Sequence, residues 1–367
     1  ALDKIGGIDY LLNISDISLS SSDASYHLKI VRDYSIIRTL FKTTDDLKEA
    51  YFNKPTTSDI GDFLEEYTNK VVSITRNRAT GDFVDLSDVV TNLNRKIEAK
   101  YRQRDKNDVT GLDTGYKILN SLINGWQNGS IYILAARPSV GKTALALNFL
   151  WQGAYLTKKT VVLFSVEMNA EQIVERILSS VSSVSSRKFR KGNVTDSDLI
   201  ALSEAETRIN TTKILIDDTS GIKVGDIRTK LSKLKSRDPN LGFVVIDYLG
   251  LVRLNNPLPS NKDNIDEIMR TLKSIARDLD LPILVLSQLS RDNEKGKRQP
   301  MLSDLRDSGS IEQDADVVML LHRDAYQKTN QVDQNTIEAN DSNDFSNNDT
   351  IHVNVAKNRQ GPTGEFL

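Results

Sequence analysis

The 367-residue sequence contains no cysteine, which excludes disulfides, thiolate zinc sites and cysteine nucleophiles and fits a reducing compartment. It lacks any apolar run near the length that spans a bilayer, so a membrane role has no support. No secretory pattern is visible at Ala1. Net charge is also nearly absent, because 48 Lys+Arg stand against 50 Asp+Glu, leaving −2. With no generally basic surface, any nucleic-acid binding must come from local clusters or backbone donors. What is present is an ordinary globular composition, 38% hydrophobic and 27% charged, long enough for two or three domains and at least one large core.

Two textures divide the chain. In the first hundred residues, Ile30, Tyr34, Ile37 and Phe41 recur at helical spacing, as do Ile60, Phe63, Leu64, Tyr67, Val71 and Ile74. These predict two packed helices separated by a turn at Asn53 to Ser58, which contains Pro55. A third stripe, Leu86, Val89, Leu93, Ile97 and Tyr101, has a strongly polar opposite face and runs into RQRDKND. It reads as a linker helix in need of a partner surface, or as a helix packed on its own domain. From about Thr110 short β-branched runs alternate with helical patterns: SIYILAA, TVVLFSVE, KILIDD, FVVIDYLGLV, LPILVLSQ, DVVMLLHR and IHVNVAK. Runs of this kind are strands buried on both faces, so the fold class is α/β with a mostly parallel sheet and flanking helices. Ligands on such sheets sit at the carboxyl ends of the strands. Asn330 to Asp349, rich in Asn and Asp, reads as a surface insertion.

The strongest chemical signal is AARPSVGKTALAL, which follows a strand and opens an apolar helix. Gly141, Lys142 and Thr143 form the GK[ST] end of a P-loop. The backbone from Ser139 and Val140 to Ala144 would cradle the phosphates of a nucleotide, with Lys142 on the β and γ phosphates and Thr143 on Mg²⁺. Ala136 replaces the motif's first glycine, which is tolerable where φ is negative. A P-loop calls for an acid at a neighbouring strand end, and FVVIDYLGLV offers Asp247 for the metal's water shell. Glu167, after VVLFSV, suits a group that orients or deprotonates water, with helix capping as its competing role. Gln288 ends LPILVLSQ as a γ-phosphate reporter or a simple polar strand end. Beyond it runs a connection of about thirty residues, and loops of that length in compact domains are functional or disordered. Its cations, Arg291, Lys295, Lys297, Arg298 and Arg306, with the Gly309 turn, suit a phosphate backbone, or simply a solvated loop. Finally, VNVAKNRQGPTG ends a strand in Lys357 and Arg359 beside a Gly/Pro turn, a solvated strand end unless an anionic ligand reaches it.

Taken in order, GGIDYL, Ile30-Val31-Arg32, TGLDTGY, AARPSVGKT, LFSVEM, VVIDYLGL, LSQLSR, LSDLRDSGSIEQDAD and KNRQGPTG make the chain resemble the DnaB family of replicative hexameric helicases of bacteria and their phages. The resemblance implies a RecA-like ATPase domain at 110–367, a linker helix and linker at 85–109 that docks on the adjacent subunit, and a partial all-α collar of hairpins at 1–84. Family segments are expected beyond both ends of the chain. It implies ATP and Mg²⁺ as cofactors and a homohexamer translocating 5′ to 3′ on single-stranded DNA in the bacterial cytoplasm. Primase, a helicase loader and single-strand-binding protein are the implied partners. Lys357 and Arg359 would reach the γ-phosphate held by the neighbour's P-loop, an effect worth about 10³ to 10⁵ in rate in other NTPases. Arg306, Asp307 and Gly309 would grip the single strand, with a second channel loop near Leu254 to Asp263. Two alternatives share the motifs: a recombinase-like filament protein, and a nucleotide-gated scaffold that recruits partners without unwinding. The helical collar and KNRQGPTG speak for a ring. Glu167, Lys357 and Arg359 together exceed what mere nucleotide sensing needs.

Overall fold

The computed structural model describes residues 21–53, 67, 85–103, 109–289, 298–305, 309–323 and 350–366. The chain divides into two compact units, Ala1–Tyr101 and Arg102–Leu367. In the first, helix α1 spans Ser21–Asn53 and carries the stripe from Ile30 to Phe41. Tyr67 packs back on it, donating its hydroxyl to the Asp46 carbonyl at 3.0 Å. The rest of the stripe from Ile60 to Ile74 lies outside the described residues. Helix α2, Leu86–Gln103, forms where its periodicity places it. Its apolar stripe is not covered within its own unit among the described residues, since Leu86, Val89, Leu93 and Ile97 are between 45% and 75% exposed.

The second unit follows the order α3 (Lys117–Ile123), β1 (Ile131–Ala136), α4 (Lys142–Thr157), β2 (Thr160–Ser165), α5 (Ala170–Ser182), α6 (Ser186–Lys191) and α7 (Asp196–Asn210). Then come β3 (Lys213–Asp217), α8 (Val224–Arg237), β4 (Leu241–Asp247), α9 (Asn261–Leu279), β5 (Ile283–Gln288), α10 (Gly309–Asp314), β6 (Val317–Arg323), β7 (Ile351–Asn358) and β8 (Gly364–Phe366). One eight-stranded sheet collects the strands in the order β3-β2-β4-β5-β1-β6-β7-β8. The first six in that row run parallel. β7 and β8 run antiparallel to their neighbours.

Why the β-branched runs show no alternation is visible in the packing. Successive side chains point to opposite faces, and in β4 Val244 and Ile246 enter one core cluster while Phe243 and Val245 enter the other. The first cluster is closed by α9 through Ile268, Leu272, Ile275 and Ala276, the second by α4 through Leu147, Leu150 and Ala154. KILID and IHVNVAK depart from the expectation of burial on both faces: β3 is the sheet edge and none of its five residues is buried, while β7 buries only Val353 and Val355, which share one face. The short β8 was not foreseen. It forms because the chain doubles back through the GPTG turn and pairs Phe366 with Val353. The expected insertion, residues 330–349, lies outside the described residues.

TGLDTGY proves to be a structural turn under the second cluster. Leu112 bridges Trp126, and the Asp113 carboxylate accepts from the Gly115 N–H at 2.8 Å and from Asn120 at 2.6 Å. Gly115 has φ +83°, and a Cβ there would stand 2.6 Å from Gln152 Cβ, so only glycine fits. Trp126 itself is fully buried, edge-on to Tyr132 and Phe149 and stacked on Phe243 with ring centroids 4.7, 5.2 and 5.0 Å away.

At the amino end of the sheet, Asp316 holds β1, β6 and α9 together. Its carboxylate accepts the Ile131 N–H at 2.7 Å and pairs with Lys273, while its own N–H donates to the Ile131 carbonyl at 2.9 Å. Removing one partner of a buried pair strands the other charge. Asp316→Ala should therefore lower the unfolding free energy in urea titrations by about 3–5 kcal/mol. Asp316→Asn should lose less, because its amide oxygen still accepts from Ile131. An unchanged midpoint for Asp316→Ala would remove this carboxylate from the account of stability.

Candidate nucleotide-binding site

β1 delivers the chain at Ala136 into Arg137-Pro138-Ser139-Val140-Gly141, and α4 opens at Lys142. Ala136 is an extended strand residue, 1% exposed, so a methyl in place of the first glycine meets no steric objection. The left-handed backbone falls instead on Ser139, φ 65°, and Gly141, φ 108°. At Gly141 a Cβ would also stand 3.3 Å from Ile351 Cδ1, which leaves glycine as the residue that fits. The first turn of α4 has no acidic residue and no side-chain cap, so its N–H groups and positive dipole end are available to an anion.

Asp247 closes β4 and is 2% exposed. Burying a carboxylate is costly without partners, and here Thr143 donates to Oδ2 at 2.7 Å while the Lys142 ammonium stands 3.8 Å from Oδ1. Oδ1 nevertheless has no hydrogen-bond partner. An oxygen-rich corner with one unused buried carboxylate oxygen fits a hard divalent cation, the Mg²⁺ that a P-loop implies. Lys142 also lies 4.9 Å over the Tyr248 ring. Burial pushes its pKa below the ordinary lysine value, against the opposing pull of Asp247 and Glu167.

Around this pair a cavity of about 500 Å³ is lined by the loop, Lys142, Thr143, Ala144, Glu167 and Gln288, within the roughly 300–1,000 Å³ of small-molecule sites. Glu167 is exposed, two residues past the end of β2. Helix capping, its competing role, belongs instead to Asn169, whose side chain accepts the Gln172 N–H at 2.9 Å at the start of α5. Gln288 ends β5 in register with Ala136. Two further cations line the cavity, Arg137 and Arg176. Arg137 sits inside the loop motif itself. Arg176, on α5, has no motif around it and reaches the site only through tertiary packing. A larger hollow of about 740 Å³, lined by Asp113, Lys159 and Lys235 among others, includes none of these phosphate-loop residues.

Lys357 and Arg359 do not line the phosphate cavity. Strand β7 runs antiparallel, so its first residue, Ile351, lies against the P-loop at Gly141 while Lys357 comes six residues later. At about 3.3 Å per residue that is roughly 20 Å away, at the end of the sheet where Lys357 pairs with Val318. There Lys357 and Arg359 donate to the Glu312 and Gln313 carbonyls at the end of α10, and Arg359 stands 3.7 Å from Asp316. Neither cation can reach the P-loop of its own chain.

Of the residues expected at DNA, Arg306 and Asp307 lie outside the described residues, as do Arg291, Lys295 and Lys297. Gly309 is the first residue of α10. Arg298 is committed elsewhere: its guanidinium forms a two-pronged pair with the buried Asp304 at 3.0 and 2.8 Å. That removes its charge from the set available to a phosphate backbone. The stretch from Leu254 to Asp263 is closed by Asn264, whose side chain bonds both the Leu258 N–H and its carbonyl at 2.7 and 2.9 Å.

Residues 111–367 match the DnaB-like helicase C-terminal domain. The chain is 37% identical over 365 residues to the replicative DNA helicase DnaC of Bacillus subtilis (strain 168), spanning 99% of this chain and 76% of that one. It is 36% identical over 365 residues to the replicative DNA helicase DnaB of Geobacillus stearothermophilus, with the same coverage. Among solved structures, a DnaB-like replicative helicase described with its interactions with primase superposes with TM-score 0.74 at 29% identity, covering 99% of this chain and 81% of that one. A second solved structure, an ATPase domain, gives TM-score 0.67 at 32% identity, covering 77% of this chain and 94% of that one.

The lowered pKa of Lys142 carries a sign. Because the folded value lies below the unfolded 10.5, the cost of burying the protonated amine is fully present below the folded pKa and fades as pH rises from there to 10.5. In nucleotide-free protein, NMR of ¹³Cε-labelled lysines should show the Lys142 signal, assigned by its loss in Lys142→Met, titrating below 10.5. A Lys142 signal titrating at or above that value would contradict the burial argument.

Proposed function

The chain belongs to the DnaB-like family of replicative DNA helicases and is by that membership an ATP-dependent DNA helicase; from this premise we propose how its residues divide the work. The backbone from Ser139 to Ala144 cradles the triphosphate of ATP, and Lys142 contacts the β and γ phosphates. Thr143 and Asp247 hold Mg²⁺, for which the unused Asp247 Oδ1 is the supporting observation. The ion, when bound, neutralises charge developing between the phosphates. Glu167 orients the attacking water and accepts its proton. Gln288 senses the γ-phosphate and passes its state into the loop that follows β5.

Lys357 and Arg359 act in trans, on the γ-phosphate bound by the adjacent subunit. The reversed direction of β7 carries this reading, since it sends both cations to the end of the sheet away from their own P-loop. A site completed by a neighbour implies a homo-oligomer joined head to tail, and the family suggests a ring of six subunits. In this arrangement residues 1–84 form the collar, residues 85–109 the linker whose bare apolar stripe docks on the next subunit, and residues 110–367 the motor. Arg306, Asp307 and Gly309 grip single-stranded DNA in the channel, joined by the loop near Leu254 to Asp263. Translocation runs 5′ to 3′, in the cytoplasm of a bacterial cell. Primase is a partner, as it is for the solved DnaB-like relative, together with a loader and single-strand-binding protein.

Two measurements test this. On forked duplexes with a single loading tail, unwinding should require ATP and the 5′ tail; unwinding from the 3′ tail alone would reverse the proposed polarity. Arg359→Ala should bind ATP but lose about 10³-fold or more in hydrolysis, and Lys142→Ala should also be inactive. Mixed rings of the two, confirmed by native mass spectrometry, should regain hydrolysis at interfaces pairing an intact loop with an intact arginine. Mixed rings without activity would overturn action in trans.

A further inference from the structure

The chain has only three histidines, and two of them, His322 and His352, face each other across the β6–β7 pair. Their rings stack with centroids 4.4 Å apart and planes 20° off parallel. On β8, Glu365 pairs with Asn354, which puts it diagonal to His352 on the same face of the sheet. Its Oε1 lies 2.9 Å from His352 Nδ1 and 3.7 Å from His322 Nε2. One ligand atom from each of the three residues lies within 4.8 Å of the others.

We propose that His322, His352 and Glu365 form a binding site for one divalent transition-metal ion of the Zn²⁺ class, separate from the nucleotide site. Zn²⁺ takes nitrogen and oxygen ligands at about 2.0–2.2 Å, which sets tetrahedral ligand atoms about 3.4 Å apart. The two separations from Glu365, 2.9 and 3.7 Å, bracket that spacing, so rotation of side chains closes the set without moving a strand. Two imidazoles and one carboxylate select a borderline ion over Mg²⁺ or Ca²⁺, which favour all-oxygen shells. The fourth position is left to water. His322 is 7% exposed and the Glu365 side chain 37%, so the site has a sheltered floor and an open side for entry. An ion there joins β6, β7 and β8. It also fixes His352 directly beside Ile351, whose side chain adjoins the P-loop at Gly141.

The test uses the full chain with excess Mg²⁺, so that the Thr143–Asp247 corner does not take up the probe. Competitive dialysis with Zn²⁺ should give one equivalent per chain, and Co²⁺ should give the strong visible bands of a tetrahedral site. His352→Asn and Glu365→Gln should each weaken Zn²⁺ binding by at least about 10–100-fold, the loss that follows removal of even a supporting partner. Both variants should also abolish the Co²⁺ bands, while His27→Asn should leave binding and spectrum unchanged. Glu365→Gln keeps the size of an accessible side chain, and circular dichroism confirms that each variant is folded. Absence of stoichiometric Zn²⁺, or undiminished binding by folded His352→Asn and Glu365→Gln, would overturn the site.

Discussion

Burial of the central strands on both faces is the constraint from which the rest of this ATPase unit follows. With one core cluster above the sheet and another below, a polar side chain within a central strand would lie in an apolar medium, at the cost of an unsatisfied group. Polar chemistry is therefore confined to the two ends of the sheet. At the carboxyl end stand Lys142, Thr143, Asp247 and Gln288 around the phosphate cavity. At the amino end stand Asp316, Lys273, Lys357 and Arg359. The length of a strand separates the two sets. On the trans assignment, the sheet that makes the site stable also prevents one chain from completing it alone.

Much of this was legible in the sequence, because the signals were local. β-branched runs without alternation report a sheet covered on both sides, and GKT after a strand reports a phosphate loop; both depend on residues adjacent in the chain. The substitution Ala136 could be judged too, since the structure puts the positive φ values at Ser139 and Gly141 instead. What escaped was set by tertiary neighbours. Arg298 belongs to a run of cations in the sequence, yet folding places it on the buried Asp304. Arg176 enters the phosphate cavity only because α5 packs there, and β3 is an edge because of sheet order, not composition. The cluster of His322, His352 and Glu365 is likewise invisible until three strands pair, because its members are 30 and 13 residues apart. The cations after β7 were recognisable as unusual, but only the antiparallel pairing fixes which end of the sheet they occupy.

The state of those cations in a single chain bears on how a neighbour's nucleotide would engage them. Lys357 and Arg359 rest on the carbonyls that end α10, where the negative pole of a helix offers partial charges. Asp316 is the nearest full counter-charge to Arg359, but it is already shared with Lys273 and the Ile131 N–H. The pair is left short of negative charge. The Lys357 pKa is depressed first by burial and then by the like charge of Arg359, with Glu312, Asp316 and Asp314 only partly opposing.

A terminal phosphate supplies what that environment lacks: full negative charge and several acceptor oxygens, so that ion pairing is added to the charge-assisted bonds the two cations already make to carbonyls. On the trans assignment, exchange of carbonyls for phosphate is therefore favourable without new burial, and it frees the end of α10. That helix is six residues long, beginning at Gly309, itself one of the residues expected at DNA, and ending at Asp314 beside the two cations. Six residues make fewer than two turns, too few to hold a helix without its end contacts. Contacts at one end of α10 therefore bear on the other, so that on the proposed trans and DNA assignments nucleotide and DNA would act on the same short element through forces no stronger than the hydrogen bonds already seen there.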